Sequence, residues 1–443
     1  MSEMKDSGIE WIGATPETWK MIPLKYLASY NDEVLSENTD DEFEFDYIEI
    51  GSVQYGRGII YTEHMKFKNA PSRARRIVRK DDIIVSTVRT YLKAVATIPA
   101  CNNSLIASTG FIVIRPHKVL PRFMNYALLS ESFISLVESH STGISYPAIN
   151  SVDVVKFKIP VPCRSEQERI AAFLDAECAE IDAVLEKTRA SIEEYKKLKQ
   201  AIITQAVTKG IRGDRPMKDS GIEWIGDIPA EWDVVRQKYF WNTVESGVSV
   251  NAADKPVDNS EQYGVLKTSA VSKFVFIPTE HKQVNLEEYG RVSCPVRADS
   301  IIASRMNTPE LVGACGYVQN NYPNLFLPDR LWQITFKDGL SPKYAWYYLS
   351  GIRVRQYISS LSTGTSSSMQ NISQSQYGNI FITIPSIGEQ SEITKYLDEK
   401  CRSVDALIAK KQQYLIEIEN YKKSLIYEYV TGKKEVKTSV LAD

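Results

Sequence analysis

The sequence predicts an α+β protein made of two duplicated halves, in which each mixed α/β domain is followed by one long helix. Three observations support this prediction. The ten-residue string MKDSGIEWIG occurs at Met4–Gly13 and again, without a change, at Met217–Gly226. Two segments of about forty residues carry apolar residues at helical spacing without an internal proline. In the remaining sequence, short β-prone runs such as Phe111–Ile114 alternate with turn residues.

The repeat extends well beyond the identical string. Pro16 and Trp19 correspond to Pro229 and Trp232 at the same offset of 213 residues, and Glu166–Asp175 corresponds to Glu389–Asp398 at an offset of 223. A repeat of this length indicates duplicated domains rather than a short-period solenoid. Further matched positions are Asp81 and Asp299, Ser86 and Ser304, Pro121 and Pro342, Tyr126 and Tyr347, Ser141-Thr142-Gly143 and Ser362-Thr363-Gly364, Asn150 and Asn371, and Ile159-Pro160 and Ile384-Pro385.

Each late segment of the repeat predicts a long helix. In the first copy, apolar or small residues recur at alternating spacings of three and four from Glu166 to Thr208. Pro162 precedes this stretch and Gly210 follows it, which are typical helix start and stop signals. A helix of this length spans about 65 Å, so its apolar stripe needs a partner, and the second copy is the obvious one. On spacing alone, a generic dimerising coiled coil is the alternative.

Composition places the chain among soluble, multidomain globular proteins. It has 443 residues, of which 43% are hydrophobic and 24% charged, with a net charge of −2. The N-terminus lacks the pattern of a secretory signal, and no apolar run approaches the about 18 residues that span a bilayer. We therefore expect a cytoplasmic protein without membrane contact. Six scattered cysteines predict reduced thiols, and four isolated histidines predict no metal site.

The small net charge hides a strongly basic stretch. Residues 66–93 contain nine Lys or Arg and two Asp, a local charge of +7, whereas residues 32–46 contain eight acidic residues and no basic one. Such segregation is typical of a face that binds a polyanion. A solvated loop that is merely basic is the alternative on this feature alone.

Motifs for catalysis are missing from the sequence. It contains no G-x-x-x-x-G-K-[ST] phosphate loop, no N-P-P-Y or D-P-P-Y tetrapeptide of amino-methyltransferases, and no glycine-rich loop placed to hold a methyl donor. No nuclease cluster of the E-x-K or H-N-H type stands out. Together these absences favour a binding subunit that has no catalytic residues and binds no cofactor or metal of its own.

Two duplicated motifs resemble those of a known family. The pattern K-D-S-G-I-E-W-I-G-x-x-P-x-x-W at Lys5–Trp19 and Lys218–Trp232 resembles the start of target-recognition domains in type I restriction–modification specificity subunits, the HsdS family. The pattern E-Q-x-x-I-x-x-[FY]-L-D at Glu166–Asp175 and Glu389–Asp398 resembles the opening of their conserved helical regions. The implied order is a first target-recognition domain at 1–163, a central helical region at 164–212, a second target-recognition domain at 213–386, a C-terminal helical region at 387–432, and a flexible tail at 433–443.

The resemblance implies both an architecture and a function. Two target-recognition domains are held apart by two long antiparallel helices that form a coiled coil with pseudo-two-fold symmetry. Each domain reads one half of a bipartite, asymmetric site on double-stranded DNA, and the helices set the spacer. Two methyltransferase (M) subunits and two restriction (R) subunits assemble on this scaffold. S-adenosylmethionine, ATP and Mg are expected on those partners, not on this chain.

Candidate DNA-binding residues follow from the basic stretch and from the repeated STG triplet. Arginine pairs with guanine, and Asn or Gln with adenine, while phosphate contacts supply affinity. The candidates in the first domain are Arg73, Arg75, Arg76, Arg89, Thr142, Gly143, Ser145 and Tyr146. The candidates in the second domain are Arg291, Arg297, Arg305, Asn307, Thr363, Gly364, Ser366 and Gln370.

Two alternatives to this function remain at the level of sequence. An autonomous restriction or modification enzyme needs a catalytic domain, and the repeats leave only the residues from Lys433 onward unassigned. A coiled-coil structural adaptor without base readout explains the helices but not two large duplicated domains with a basic stretch.

Overall fold

The structure, a computed structural model, describes residues 3–10, 12–101, 103–366 and 369–436, apart from the side chains of Thr365 and Ser366. The chain divides into two compact units, Met1–Arg189 with Gln413–Asp443, and Ala190–Gln412. Each unit contains one mixed α/β domain together with a part of each long helix. Most of the predicted tail at 433–443 lies outside the described residues.

The first unit contains strands β1–β14 and helices α1–α3 before the first long helix. Its strands are β1 Met4–Asp6, β2 Ala14–Pro16, β3 Lys20–Pro23, β4 Ala28–Tyr30, β5 Glu44–Ile48, β6 Val53–Gln54, β7 Gly58–Ile59, β8 Glu63–Lys66, β9 Ala74–Val78, β10 Ile83–Ser86, β11 Val95–Thr97, β12 Leu105–Ser108, β13 Phe111–Pro116 and β14 Lys158–Val161. Its helices are α1 Pro121–Leu129, α2 Glu131–Ser139, α3 Ser151–Val154 and the first long helix, α4 Arg164–Lys209, which continues into the second unit.

The second unit repeats this order. Its strands are β15 Met217–Asp219, β16 Asp227–Pro229, β17 Asp233–Arg236, β18 Trp241–Ser246, β19 Ala252–Ala253, β20 Gly264–Leu266, β21 His281–Val284, β22 Pro295–Val296, β23 Ser300–Ser304, β24 Met306–Asn307, β25 Cys315–Val318, β26 Tyr322–Phe326, β27 Leu331–Phe336, β28 Thr363–Ser366, β29 Met369–Asn371 and β30 Phe381–Ile384. Its helices are α5 Pro342–Ser350, α6 Ile352–Leu361, α7 Gln374–Gly378 and the second long helix, α8 Ile387–Val430, which ends in the first unit.

The sheets of the two domains have matching topologies, as the sequence repeat predicts. An antiparallel sheet has the order β11-β10-β13-β4 in the first domain and β25-β23-β27-β18 in the second. A second sheet contains one parallel pair in each domain, β5 with β12 and β20 with β26. Strands β10 and β23 are buried along their whole length, which explains the apolar runs Ile83–Val85 and Ile301–Ala303. The duplicated mixed α/β fold is therefore confirmed.

In each domain, two of the short helices share one continuous apolar pattern. The pattern extends over Pro121–Val137 and Pro342–Ile358, but the structure divides it at one residue in each. Ser130 has the extended angles φ −60° and ψ 137°, and its side chain caps α2. Gly351 takes nearly the same angles, φ −66° and ψ 140°. The apolar pattern continues across both breaks because both halves pack on the same core.

The two long helices pair within each unit, and they run antiparallel. In the first unit, Lys422 of α8 donates to both carboxylate oxygens of Asp182 of α4, at 2.7 and 2.8 Å. In the second unit, Lys199 of α4 bonds Asp405 of α8 at 2.7 and 2.8 Å. The repeat offset of 223 residues converts one ion pair into the other. The helices therefore use the same antiparallel register in both units.

The repeated E-Q and L-D motifs attach the long helices to their domains. The indole N–H of Trp19 donates to Glu166 at 3.1 Å, and that of Trp232 donates to Glu389 at 3.0 Å. Both tryptophans are almost completely buried. Gln167 and Gln390 bond the backbone just before α1 and α5, and Tyr126 and Tyr347 donate to Asp175 and Asp398. These motif residues therefore have structural roles in both units.

Candidate nucleic-acid interface

In the first domain, the loop between β10 and β11 carries Arg89. Arg89 and Lys93 both have left-handed backbone angles, φ 54° and 53°, and they flank a single 3-10 turn. The loop is anchored at its start by Thr87, whose amide donates to Gly110 O at 2.8 Å. At its other end, Lys93 forms an ion pair with Glu138 of α2 at 3.3 Å. These anchors hold a short, sharply turned loop at the edge of the sheet.

A hairpin after α2 contacts this loop directly. Ala148 bridges to Thr142 within the hairpin and to Val88 in the loop between β10 and β11, here called the arginine loop. The guanidinium of Arg89 lies over the ring of Tyr146, 5.1 Å from its centroid. Gly143 has φ +110°, a conformation that L side chains rarely adopt, so the turn depends on glycine there. The structure thus brings Arg89, Thr142, Gly143, Ser145 and Tyr146 together, as five of the eight candidates in this domain.

The other three first-domain candidates lie next to or on β9, which is at the edge of the second sheet. Arg73 is exposed, and its carbonyl accepts from Thr109, close to the anchor of the arginine loop. Arg75 stacks on Phe67 at 4.9 Å. Arg76 is half-buried, and burial lowers its pKa. They form a neighbouring basic edge rather than part of the hairpin.

The second domain builds the matching surface as a small sheet. Strand β24 pairs with β29, and β29 pairs with β28, so that Asn307 lies opposite Gln370. Arg305 is exposed, and its carbonyl accepts from Ile372 at 3.0 Å directly after this sheet. Thr363 and Gly364 lie on β28. Ser366 belongs to the same strand, but its side chain lies outside the described residues.

Arg291 and Arg297 are placed differently from the other candidates. Arg291 forms an ion pair with Glu288 at 2.6 Å, and Arg297 forms one with Glu245 at 2.7 Å. In contrast, no ion pair joins Arg89 or Arg305 to another residue that the structure describes. Arginines whose charge is already partnered are poorer ligands for DNA, because a contact would have to break the existing pair. Both residues remain predictions from the sequence.

Three further exposed side chains lie at these surfaces. Ile144 at the tip of the first hairpin is fully exposed, and Met369 of β29 is 46% exposed. Arg330 is exposed, and its carbonyl accepts from the amide of Arg305 at 3.0 Å. Ile144 lies inside the loop that the sequence predicts to contact DNA, between Thr142 and Tyr146. Sequence reasoning missed Met369 and Arg330, for which the sequence gives no signal.

No group of three or more His, Cys, Asp or Glu side chains is arranged to hold a metal ion in the described part of the chain. All six cysteines are free thiols, as predicted. Among the helices that the structure describes, none has the length and apolar character needed to cross a membrane.

Comparison with known proteins identifies the family. Residues 16–194 and 229–420 match the family model described as the type I restriction modification DNA specificity domain. The chain belongs to this family. The MjaVIII type I restriction enzyme specificity subunit of Methanocaldococcus jannaschii is 25% identical over 442 residues, which cover 95% of this chain and 94% of the relative. The EcoKI specificity subunit of Escherichia coli is 20% identical over 434 residues, covering 95% and 90%.

A solved structure supports the same fold. A chain from work on complex assembly and conformational transition of the type I R-M system has a TM-score of 0.70 with this protein at 22% identity. The alignment covers 95% of this chain and 99% of that one. The resemblance predicted from the duplicated motifs is confirmed, and so is the fold of two duplicated domains with two long helices.

Proposed function

We propose that this specificity subunit reads a bipartite, asymmetric site on double-stranded DNA, with one recognition surface in each domain for one half-site. The observation that carries this proposal is that, in both units, a loop and a hairpin pair with each other. An arginine-bearing loop after a buried strand is joined to the hairpin of the repeated STG triplet, through Val88 and Ala148 in the first domain and Asn307 and Gln370 in the second. Each of these loops combines exposed charge with a rigid anchor.

The chemistry of the two surfaces differs, which favours two different half-sites. The first surface offers Arg89 and Tyr146, which suit a guanine edge and a stacking or phosphate contact. The second offers Arg305 together with Asn307 and Gln370, and amide side chains pair with adenine. A protein whose two reading surfaces differ recognises a site that is not a palindrome. The paired helices serve as the ruler for the spacer between the half-sites.

We further propose that two M subunits dock on the long helices. Exposed apolar residues occur there in duplicate, because the offset of 223 residues converts Val184 into Leu407 and Leu198 into Tyr421. These side chains are 38%, 44%, 47% and 55% exposed, respectively. In the first unit, Val184 and Tyr421 lie two and one positions from the paired Asp182 and Lys422. In the second unit, Leu407 and Leu198 lie two and one positions from the paired Asp405 and Lys199. A duplicated apolar surface suits a partner that binds twice.

The chemistry of restriction and modification then belongs to partner subunits. We assign S-adenosylmethionine to the M subunits, and ATP and Mg to two R subunits, and we assign no catalytic residue to this chain. A subunit that reads chromosomal DNA works in the cytoplasm. The competing proposal is a structural adaptor that pairs helices without contacting bases, which leaves the duplicated loop and hairpin surfaces without a role.

Salt-dependent binding separates the two proposals. The full chain in complex with its M subunits is titrated with a duplex pool at several salt concentrations, and bound sequences are recovered. Phosphate contacts release counterions, so a DNA reader loses affinity steeply with salt and enriches a split motif. An assembled complex that binds DNA weakly, without enrichment of any motif, favours the adaptor.

A further inference from the structure

A buried arginine lies directly beneath the loop between β24 and β25, which follows Arg305 and Asn307 in the second domain. Arg355 of α6 is only 7% exposed, although its helix is otherwise amphipathic. Its Nη2 atom donates to Val312 O at 2.5 Å and to Glu310 O at 3.2 Å. Both acceptors are backbone carbonyls of the loop between β24 and β25. The guanidinium therefore binds the main chain of the loop, independently of its side chains.

The loop is packed closely onto this arginine. Gly313 has φ +68°, and a Cβ atom there would lie 2.7 Å from Ile358 and 3.3 Å from Nη1 of Arg355. The amides of Val312 and Gly313 donate back to Thr308 and Ser304, at 2.8 and 2.7 Å. The loop that begins at Arg305 and Asn307 therefore ends on the buried guanidinium.

The charge of Arg355 is not neutralised by any carboxylate that the structure describes. Its Nε and Nη1 atoms are buried without a hydrogen-bond partner. Burial lowers its pKa, and its remaining neighbours are the ring of Phe274 at 5.0 Å and the buried side chains of Tyr377 and Cys315. A buried cation with unused donors is costly to a fold. Core packing alone would be served better by an aliphatic residue.

The first domain shows what the same position looks like without this arginine. Counting back from the STG triplets, Arg355 corresponds to Ile134 of α2, which is 3% exposed. Eight residues separate β10 from β11 in the first domain, whereas ten residues separate β23 from β25 in the second. The first loop is anchored to α2 by the surface pair of Lys93 and Glu138. The buried arginine thus accompanies the longer loop and is not a requirement of the fold.

We propose that Arg355 is a positioning residue for the second recognition surface. It fixes the backbone from Glu310 to Gly313, so that Arg305 and Asn307 meet the DNA in one geometry. This inference rests on the proposed function and adds a determinant of specificity that does not itself touch DNA. Its loss broadens the reading of the second half-site and leaves the first unchanged.

The test compares three variants of the full chain in complex with its M subunits. Arg355→Met keeps an unbranched apolar stem and removes the guanidinium donors, whereas Arg355→Lys keeps the positive charge and replaces the guanidinium with an ammonium group that can still donate. Val354→Ala removes buried volume from the same helix, at a residue that is 4% exposed, as the stability control. Sequence selection then measures base discrimination at each position of both half-sites.

We expect Arg355→Met to lower discrimination in the second half-site by about tenfold, near the low end of what one bidentate base contact supplies. Arg355→Lys should fall between Met and wild type, and Val354→Ala should match wild type. An equal loss in both half-sites, an equal effect of Val354→Ala, or unchanged discrimination in Arg355→Met overturns the proposal. Wild-type protein that selects no split motif overturns the proposed function instead.

A second measurement tests the proposal even if the Arg355→Met variant does not fold. Hydrogen exchange at the amides of Val312 and Gly313 reports the order of the loop directly. In Arg355→Lys these amides should exchange several-fold faster than in wild type, with no change at the amide of Lys93 in the first loop. Equal protection at Val312 and Gly313 in the two proteins contradicts the positioning role.

Discussion

A buried ion pair between Arg215 and Glu389 is predicted to stabilise the start of the second recognition domain. Arg215 donates to both carboxylate oxygens, at 2.5 and 3.1 Å, and the two side chains are only 10% and 5% exposed. The guanidinium also lies over the ring of Trp232 at 5.4 Å. Arg215→Met leaves the carboxylate of Glu389 buried with the indole N–H of Trp232 as its main partner. Loss of one member of a buried pair lowers the free energy of unfolding by about 3–5 kcal/mol. We expect the lower value here, because the hydrogen bond from Trp232 to Glu389 remains.

Hydrogen exchange at the amides of Ile225, Gly226 and Trp232 measures this loss locally, since the two-unit chain is not expected to unfold in one step. A loss of about 3 kcal/mol accelerates their exchange by about 150-fold.

The control is Arg212→Met, because the pair of Arg212 with Glu392 is 57% and 50% exposed and is worth at most about 1 kcal/mol. Adding Glu389→Gln to Arg215→Met should recover much of the protection. If Arg215→Met is no worse than Arg212→Met, the argument for a buried pair is wrong.

Three further predictions concern recognition, assembly and acid stability. Arg89→Ala should relax the first half-site and Arg305→Ala the second, each by about 1–3 kcal/mol in base discrimination, and a uniform loss in sequence selection would contradict base reading. Val184→Asp with Leu407→Asp should abolish co-purification of the M subunit, while circular dichroism shows intact helices. Hydrogen bonds from Arg79, the larger effect, and from Arg115 lower the pKa of Glu33. The ionised carboxylate of Glu33 therefore stabilises the folded protein at neutral pH, and this contribution is lost as pH falls below about 4.3. Glu33→Gln should therefore flatten the decline of thermal stability in acid, and an unchanged decline would remove that role.

The fold was largely predictable because its main signals are repeated. The string at Met4–Gly13 and its copy identify the duplication, and the E-Q and L-D motifs mark where each long helix begins. In the structure these residues are the attachments of helix to domain, such as Trp19 to Glu166 and Tyr126 to Asp175. Because these residues make the same contacts in both copies, the same residue types occur in both, and the repeat can be detected in the sequence. The helix break at Ser130 was not predictable, since apolar spacing continues across it.

The candidate site was predictable only in part. Arg89 and the first hairpin come together because the loop that follows the buried strand β10 bridges to the hairpin through Val88 and Ala148. Arg291 and Arg297 occupy places in the second domain that match the basic stretch of the first, yet Arg291 pairs with Glu288 and Arg297 pairs with Glu245. Arg355 gave no signal, because a charged residue on a short helix is ordinarily expected to be exposed. Pairing and burial of charges depend on tertiary structure.

Mapping of DNA methylation tests the central proposal most directly. The chain is expressed with its M subunit in cells that lack other adenine methylation, and modified adenines are located by single-molecule sequencing. The proposal predicts one split, asymmetric motif with a fixed spacer, and exchange of residues 1–163 for the corresponding domain of a relative should change one half of it only. An assembled complex that adds no methylation, or a motif without two separable halves, would contradict it.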